Sequence, residues 1–198
     1  RLNGYYPPHK FNAALDYAAT GNGSRPSFRE YLAEAAPAPA QGVLHSDDSY
    51  LPATAPLNAR PGGKPLLVLF EQRDCAPCDE LHMDILKRPE SREQLARFDV
   101  VQLDMWSRDP VTRPDGRTGS AAQWARELGV QYAPSLVFFD AAGSEVFRTE
   151  AYLKAFHVQS SMDYVASRAY LEQPSFQRFI GARADALEAQ GIHVDLMQ

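Results

Sequence analysis

Only two cysteines occur in the 198 residues, Cys75 and Cys78. A disulfide-scaffolded secreted domain would carry more, scattered along the chain. A structural zinc site normally takes four nitrogen or sulfur ligands, of which a single Cys-x-x-Cys supplies two. Positive charge is also short: 20 Lys and Arg stand against 25 Asp and Glu, a net charge of −5. That balance leaves no electrostatic footprint for nucleic acid or an anionic membrane surface. No apolar run approaches the length of a bilayer crossing. There is no internal repeat and no motif supporting Ser/His/Asp hydrolase geometry. The chain begins at Arg1, not Met, so a trimmed N-terminus is expected, and the lack of a visible signal peptide says nothing about location.

What is present reads as a globular protein, 44% hydrophobic and 11% aromatic. The length suits one sizeable domain with an extension, or two small domains. The most informative stretch runs from Leu66 to Leu86. Leu66 to Phe70 are apolar without a break, the pattern of a strand covered on both faces. A short polar loop, Glu71 to Asp74, leads into Cys75-Ala76-Pro77-Cys78, and Leu81, His82, Ile85 and Leu86 then recur at helical spacing until Pro89. A cysteine where a helix begins meets unpaired N–H groups and the positive end of the dipole, so its thiolate is favoured. The second sulfur, one turn on, is close enough to close a disulfide. Pro77 suits the first turn because the N–H it lacks would be unsatisfied there.

Residues 1–60 read as an N-terminal extension packed on a domain spanning 61–198. Tyr5-Tyr6-Pro7-Pro8 argues against a helix before Lys10. Phe11, Leu15, Tyr17 and Ala18 suggest a short amphipathic helix closed by Gly21-Asn22-Gly23. Ser27 with Glu30 is a capping box for a second helix, and Ala36-Pro37-Ala38-Pro39-Ala40 is a stiff spacer. The extension is expected to add a strand near Val43-Leu44; a lid over the motif is the sharper alternative. Further along, Ser91 with Gln94 is expected to cap a short helix, and Val100 to Trp106 to form a strand. Ser107 to Gly119, rich in proline, glycine and charge, reads as an exposed loop. Ser120 opens a helix that Gly129 ends, and Ser135–Asp140 with Glu145–Phe147 reads as a hairpin. One helix carries Val158, Met162 and Val165, and a last one runs from the cap Ser175 through Leu187. The order implies an α/β fold with a mixed central sheet and helices on both faces.

This order, with its strand–Cys-x-x-Cys–helix core, resembles the thioredoxin superfamily over about residues 60 to 170. Gly129-Val130-Gln131-Tyr132-Ala133-Pro134-Ser135 stands where that superfamily places its cis-proline loop. The resemblance implies a thioredoxin fold with an added C-terminal helix, and a cis Ala133–Pro134 bond facing the sulfurs. It implies that the Ala133 backbone pairs with an extended substrate. The C-terminal segments Tyr152–His157 and Pro174–Phe179 look like the SoxW-type bacterial thioredoxins, which are exported. That likeness implies a periplasmic setting, protein disulfide substrates and an upstream thiol donor such as a membrane-embedded thiol reductase. The expected activity is thiol–disulfide exchange, with Cys75 attacking and Cys78 resolving, and no cofactor beyond the redox-active disulfide.

The chain departs from common thioredoxins in carrying Asp74 before the first cysteine and Ala76-Pro77 between the two. It also has Leu69 where they bury an acidic residue. Proton transfer to Cys78 then needs another route, such as water, Glu71 or Asp74. Two alternatives remain at this level. His82 and Met83 could join the sulfurs to bind a soft metal, as in a copper-handling protein, although no metal ligand is assigned. A non-catalytic module could hold a partner in the groove. His157, Trp106 and Trp124 read as packing or loop-edge residues, while His9, His45 and His193 are unplaced.

Overall fold

The computed structural model describes residues 8–19, 27–35, 40–58, 63–150 and 154–194. The chain divides into two compact units, Arg1–Pro39 and Ala40–Gln198.

The first unit holds α1 (Pro8–Ala19) and α2 (Phe28–Ala35). Helix α1 starts at Pro8, earlier than expected, because a proline in the first turn removes an N–H that has no partner there. The expected capping box opens α2: the Ser27 N–H donates to Glu30 Oε2 at 2.7 Å and the Glu30 N–H to Ser27 Oγ at 3.4 Å. Tyr17 meets Phe28 and Tyr31, each with ring centroids 5.1 Å apart. The expected turn at Gly21–Gly23 and the prolines of the spacer lie outside the described residues.

The second unit is built on β1 (Leu66–Glu71), β2 (Asp99–Asp104), β5 (Ser135–Phe139) and β6 (Glu145–Glu150), in the order β2-β1-β5-β6. Strands β1 and β2 are parallel, whereas β5 and β6 run antiparallel. The helices are α3 (Ala76–Met83), α4 (Pro89–Leu95), α5 (Ala121–Leu128), α6 (Ala155–Ala166) and α7 (Phe176–Ala189). None of the described helices is long and apolar enough to cross a membrane.

The unbroken apolar run of β1 divides by parity between two cores, because successive side chains point to opposite faces. Leu66, Val68 and Phe70 join Val101, Leu103, Trp124 and Ala125 under α5. Leu67 and Leu69 join Leu81, Ile85, Leu86, Val158 and Met162 under α3 and α6. Glu71 continues this second row, so a carboxylate stands where the pattern would otherwise put another aliphatic side chain.

Three local expectations are corrected. Ser107–Gly119 is not all loop: β3 (Pro110–Thr112) and β4 (Thr118–Ser120) pair as a small hairpin, with Gly116 at φ +81° in its turn. Helix α4 opens at Pro89 after Arg88, and Ser91 is no cap: fully buried, it accepts a hydrogen bond from Gln159 Nε2 at 3.0 Å. Val43-Leu44 forms no strand; the edge contact lies at Leu51, which bridges Val101 in parallel and donates its N–H to the Val100 carbonyl at 2.7 Å.

Candidate active site

Cys75 ends the loop after β1 as the N-cap residue of α3, outside helical geometry at φ −141°, ψ 87°. Its Sγ accepts the Cys78 N–H at 3.1 Å, and its carbonyl accepts the N–H groups of Cys78 at 2.9 Å and Asp79 at 3.0 Å. Cys75 and Cys78 are joined as a disulfide, with Cα atoms 5.2 Å apart. Ala76 and Pro77 fill the first turn and Asp74 is exposed. A thiolate at Cys75 would be stabilised by the Cys78 N–H already aimed at its sulfur and by the positive end of the helix. An exposed Asp74 is solvated, so its opposing charge acts through water and is weakened.

The Ala133–Pro134 peptide bond is cis. The loop starts where Gly129, left-handed at φ 75°, ends α5, and Ser135 Oγ holds it by donating to the Tyr132 carbonyl at 2.7 Å. Because Phe70 of β1 pairs with Ser135 of β5, the motif loop and the Ala133–Pro134 loop leave the sheet at the same end. Trp106 follows β2 at that end too, exposed, its indole donating to Gln72 Oε1 at 2.9 Å. Trp124 lies in the core, against Phe70 and Phe139.

Leu69 is completely buried in apolar surroundings. The ionisable group on that face is Glu71, also completely buried. Its Oε1 meets His82 Nε2 at 2.7 Å, and its Oε2 accepts from Gln102 Nε2 at 2.8 Å. Gln102 is opposite Leu69 in the β1–β2 register, which puts its side chain on the same face as Glu71. His82, one helical turn after Cys78, is 8% exposed.

Residues 40–51 run past α3 as a strap. The Gln41 N–H donates to Asp79 Oδ2 at 2.9 Å, and His45 Nε2 meets Asp79 Oδ1 at 2.7 Å. Gly42 adopts φ +74° with Asp74 Oδ1 only 3.6 Å from where a Cβ would sit, so the strap passes directly beside the motif. The His45 ring stacks on His82, with centroids 4.7 Å apart and planes 13° from parallel. Tyr50 packs its edge toward the same imidazole. Burial pushes its phenol well above the usual range, and the charges of Asp47 and Glu71 add to the shift. Asp47 is held below the usual carboxylate range chiefly by the Ser49 hydroxyl, then by Arg92. Sequence reasoning left His45 unplaced: it sits 37 residues before His82, and no spacing rule links a strap to a helix so far away. Among the described residues, no group of three His, Cys, Asp or Glu side chains is placed to hold a metal. His82 Nε2 already faces Glu71, so the copper reading gains no support.

Three solved structures show the range of the likeness. A thioredoxin-fold protein from Helicobacter pylori is 14% identical, with a TM-score of 0.58, over 72% of this chain and 93% of that one. A thioredoxin from Thermus thermophilus is 22% identical, with a TM-score of 0.45, over 59% and 87% of the two chains. Thioredoxin O2 from Arabidopsis thaliana is 18% identical, with a TM-score of 0.43, over 62% and 98%. No curated protein matches the sequence significantly. The family model of the thioredoxin-like domain matches residues 53–166. That span is more than half of the chain and runs from ahead of β1, through the motif and the Ala133–Pro134 loop, to the end of α6. With the fold that the Helicobacter protein shares, it establishes that this chain belongs to the thioredoxin-like family.

Proposed function

We propose that the chain is a thiol–disulfide oxidoreductase that reduces or exchanges disulfides in protein substrates. The observation that carries this is the Cys75–Cys78 disulfide at the start of α3, with the Cys75 sulfur facing a helix N–H. In the reducing direction, the Cys75 thiolate attacks a substrate disulfide and forms a mixed disulfide. Cys78 then attacks the Cys75 sulfur, and the second substrate sulfur leaves as a thiol. The reduced pair is regenerated by an upstream thiol donor. The Ala133 backbone, half-buried at the same sheet end, is proposed to pair with an extended substrate segment. The SoxW-type likeness and a periplasmic setting with a membrane-embedded donor belong to this proposal, supported by the C-terminal sequence segments alone.

The test is trapping. Cys78→Ser should accumulate mixed disulfides through Cys75, and Cys75→Ser should accumulate none. Trapping through Cys78 alone would reverse the two roles.

A further inference from the structure

Resolution of a mixed disulfide requires Cys78 to lose its proton, and Cys78 is only 2% exposed. Bulk water cannot take that proton directly. Among the described residues, the buried ionisable side chains besides the two cysteines are Glu71, His82, Arg113 and Tyr164. Arg113 is paired with Glu127, and Tyr164 donates to the Gln173 carbonyl. Glu71 and His82 remain, hydrogen-bonded to each other on the face of the sheet that α3 covers.

Their arrangement favours the imidazole as the group that exchanges the proton. His82 follows Cys78 by four residues on α3, so the two share a helix face, and a helical side chain leans back over the preceding turn. With Nε2–H donated to Glu71 Oε1, the basic lone pair is on Nδ1. A proton taken there makes an imidazolium beside a carboxylate already in place, so no uncompensated charge is created in the interior.

We propose that His82, anchored by Glu71, exchanges the Cys78 proton during resolution, and that His45 of the strap is a positioning residue that holds the imidazole by stacking on it. The step balances. The Cys78 Sγ–H proton passes to His82 Nδ1, and the Sγ electron pair forms the bond to Cys75 Sγ. The Cys75–substrate S–S bond breaks with its pair on the substrate sulfur, which is protonated by solvent. The dithiol is oxidised by two electrons and the substrate disulfide is reduced. His82 then releases its proton into the cleft of about 130 Å³ between strap and α3. His45 shares that cleft with Asp47, Tyr50, Lys87 and Arg92, and its Nε2 meets Asp79 Oδ1, which holds its ring against His82.

This inference rests on the proposed thiol chemistry, and one experiment separates the two. Reduced protein is mixed with excess 5,5′-dithiobis(2-nitrobenzoate) in a stopped-flow instrument from pH 5 to 9. The first thionitrobenzoate released reports attack by Cys75, and the second reports resolution by Cys78. In His82→Phe, which keeps a ring to stack on His45, the first release should be unchanged. The second should slow by about 100-fold. The double variant Glu71→Leu/His82→Phe leaves no buried charge unpaired and should behave alike. In His45→Ala the second release should slow while the first is unchanged, and His45→Phe, which restores a stacked ring, should recover it. A second release within twofold of the parent's in the folded double variant would overturn the inference. Absence of any thionitrobenzoate release from the unmodified protein would overturn the thiol chemistry itself.

Discussion

At the scale of single residues, position relative to one helix separates the two cysteines. Cys75 caps α3, and Cys78 lies inside its first turn; the first stands where a helix N–H would stabilise its thiolate, and the second is sealed in the core. Tyr50 shows how the same neighbourhood affects stability. The folded protein keeps the phenol proton where the unfolded chain begins to lose it, at about pH 10. The contribution of Tyr50 is therefore complete below that pH and is lost as pH rises beyond it. Tyr50→Phe should flatten the alkaline limb of the stability curve, measured by urea unfolding between pH 8 and 11. Asp47 acts with the opposite sign. Its lowered pKa stabilises the fold above the ordinary carboxylate value of about 3.9 and is lost as pH falls through the folded value. Asp47→Asn should remove part of the acid-induced loss below about pH 4, and an unchanged acid limb would contradict that assignment.

At the scale of elements, local chemical signals were legible where one residue type had one job. Ser120 caps α5 through the Gln123 N–H at 3.1 Å, and Gly129 ends it in the left-handed region, as their positions in the sequence imply. Ser120→Ala should cost about 1 kcal/mol, seen as a lower urea midpoint with an unchanged slope. Ser91 carried the same signal and misled, because Pro89 opens α4 two residues earlier and burial then turns Ser91 inward. The hairpin at Pro110–Ser120 was hidden by its prolines, glycines and charges, which mark turns without revealing how their flanks pair. Helix α7 docks through aromatic rings: Phe176 lies 4.6 Å from Phe147 and 5.2 Å from Tyr164, and Phe179 lies 4.9 Å from Tyr164. Phe176→Ala should lower stability by about 1–2 kcal/mol, less than the roughly 3–5 kcal/mol of a fully buried phenylalanine, because Phe176 is partly exposed. A loss below 0.5 kcal/mol, on the order of an ordinary surface change, would mean that α7 is not held by this cluster.

At the scale of the whole molecule, the architecture follows from the parity of β1. One apolar run supplies both cores, and the residue that follows it in β1, Glu71, brings a carboxylate under α3. The motif and the order of the main-sheet strands and the helices were readable from the chain, because each depends on nearby residues, and the Ala133–Pro134 loop was readable through the family resemblance. The Glu71–His82–His45 array was not. It joins a strand, a helix and a strap, and it exists only after the strap's hydrogen bonds to Asp79 carry His45 over His82. Cys75 and Cys78 are proposed to form a working redox couple. The measurement is to equilibrate the protein in glutathione or dithiothreitol redox buffers and determine the fraction of dithiol. One reversible two-electron transition is expected, and it should disappear in Cys75→Ser. A potential near roughly −270 mV assigns the reducing direction, and one near roughly −120 mV assigns disulfide delivery. A pair that shows no reversible transition in either buffer would rule out the proposed thiol–disulfide exchange.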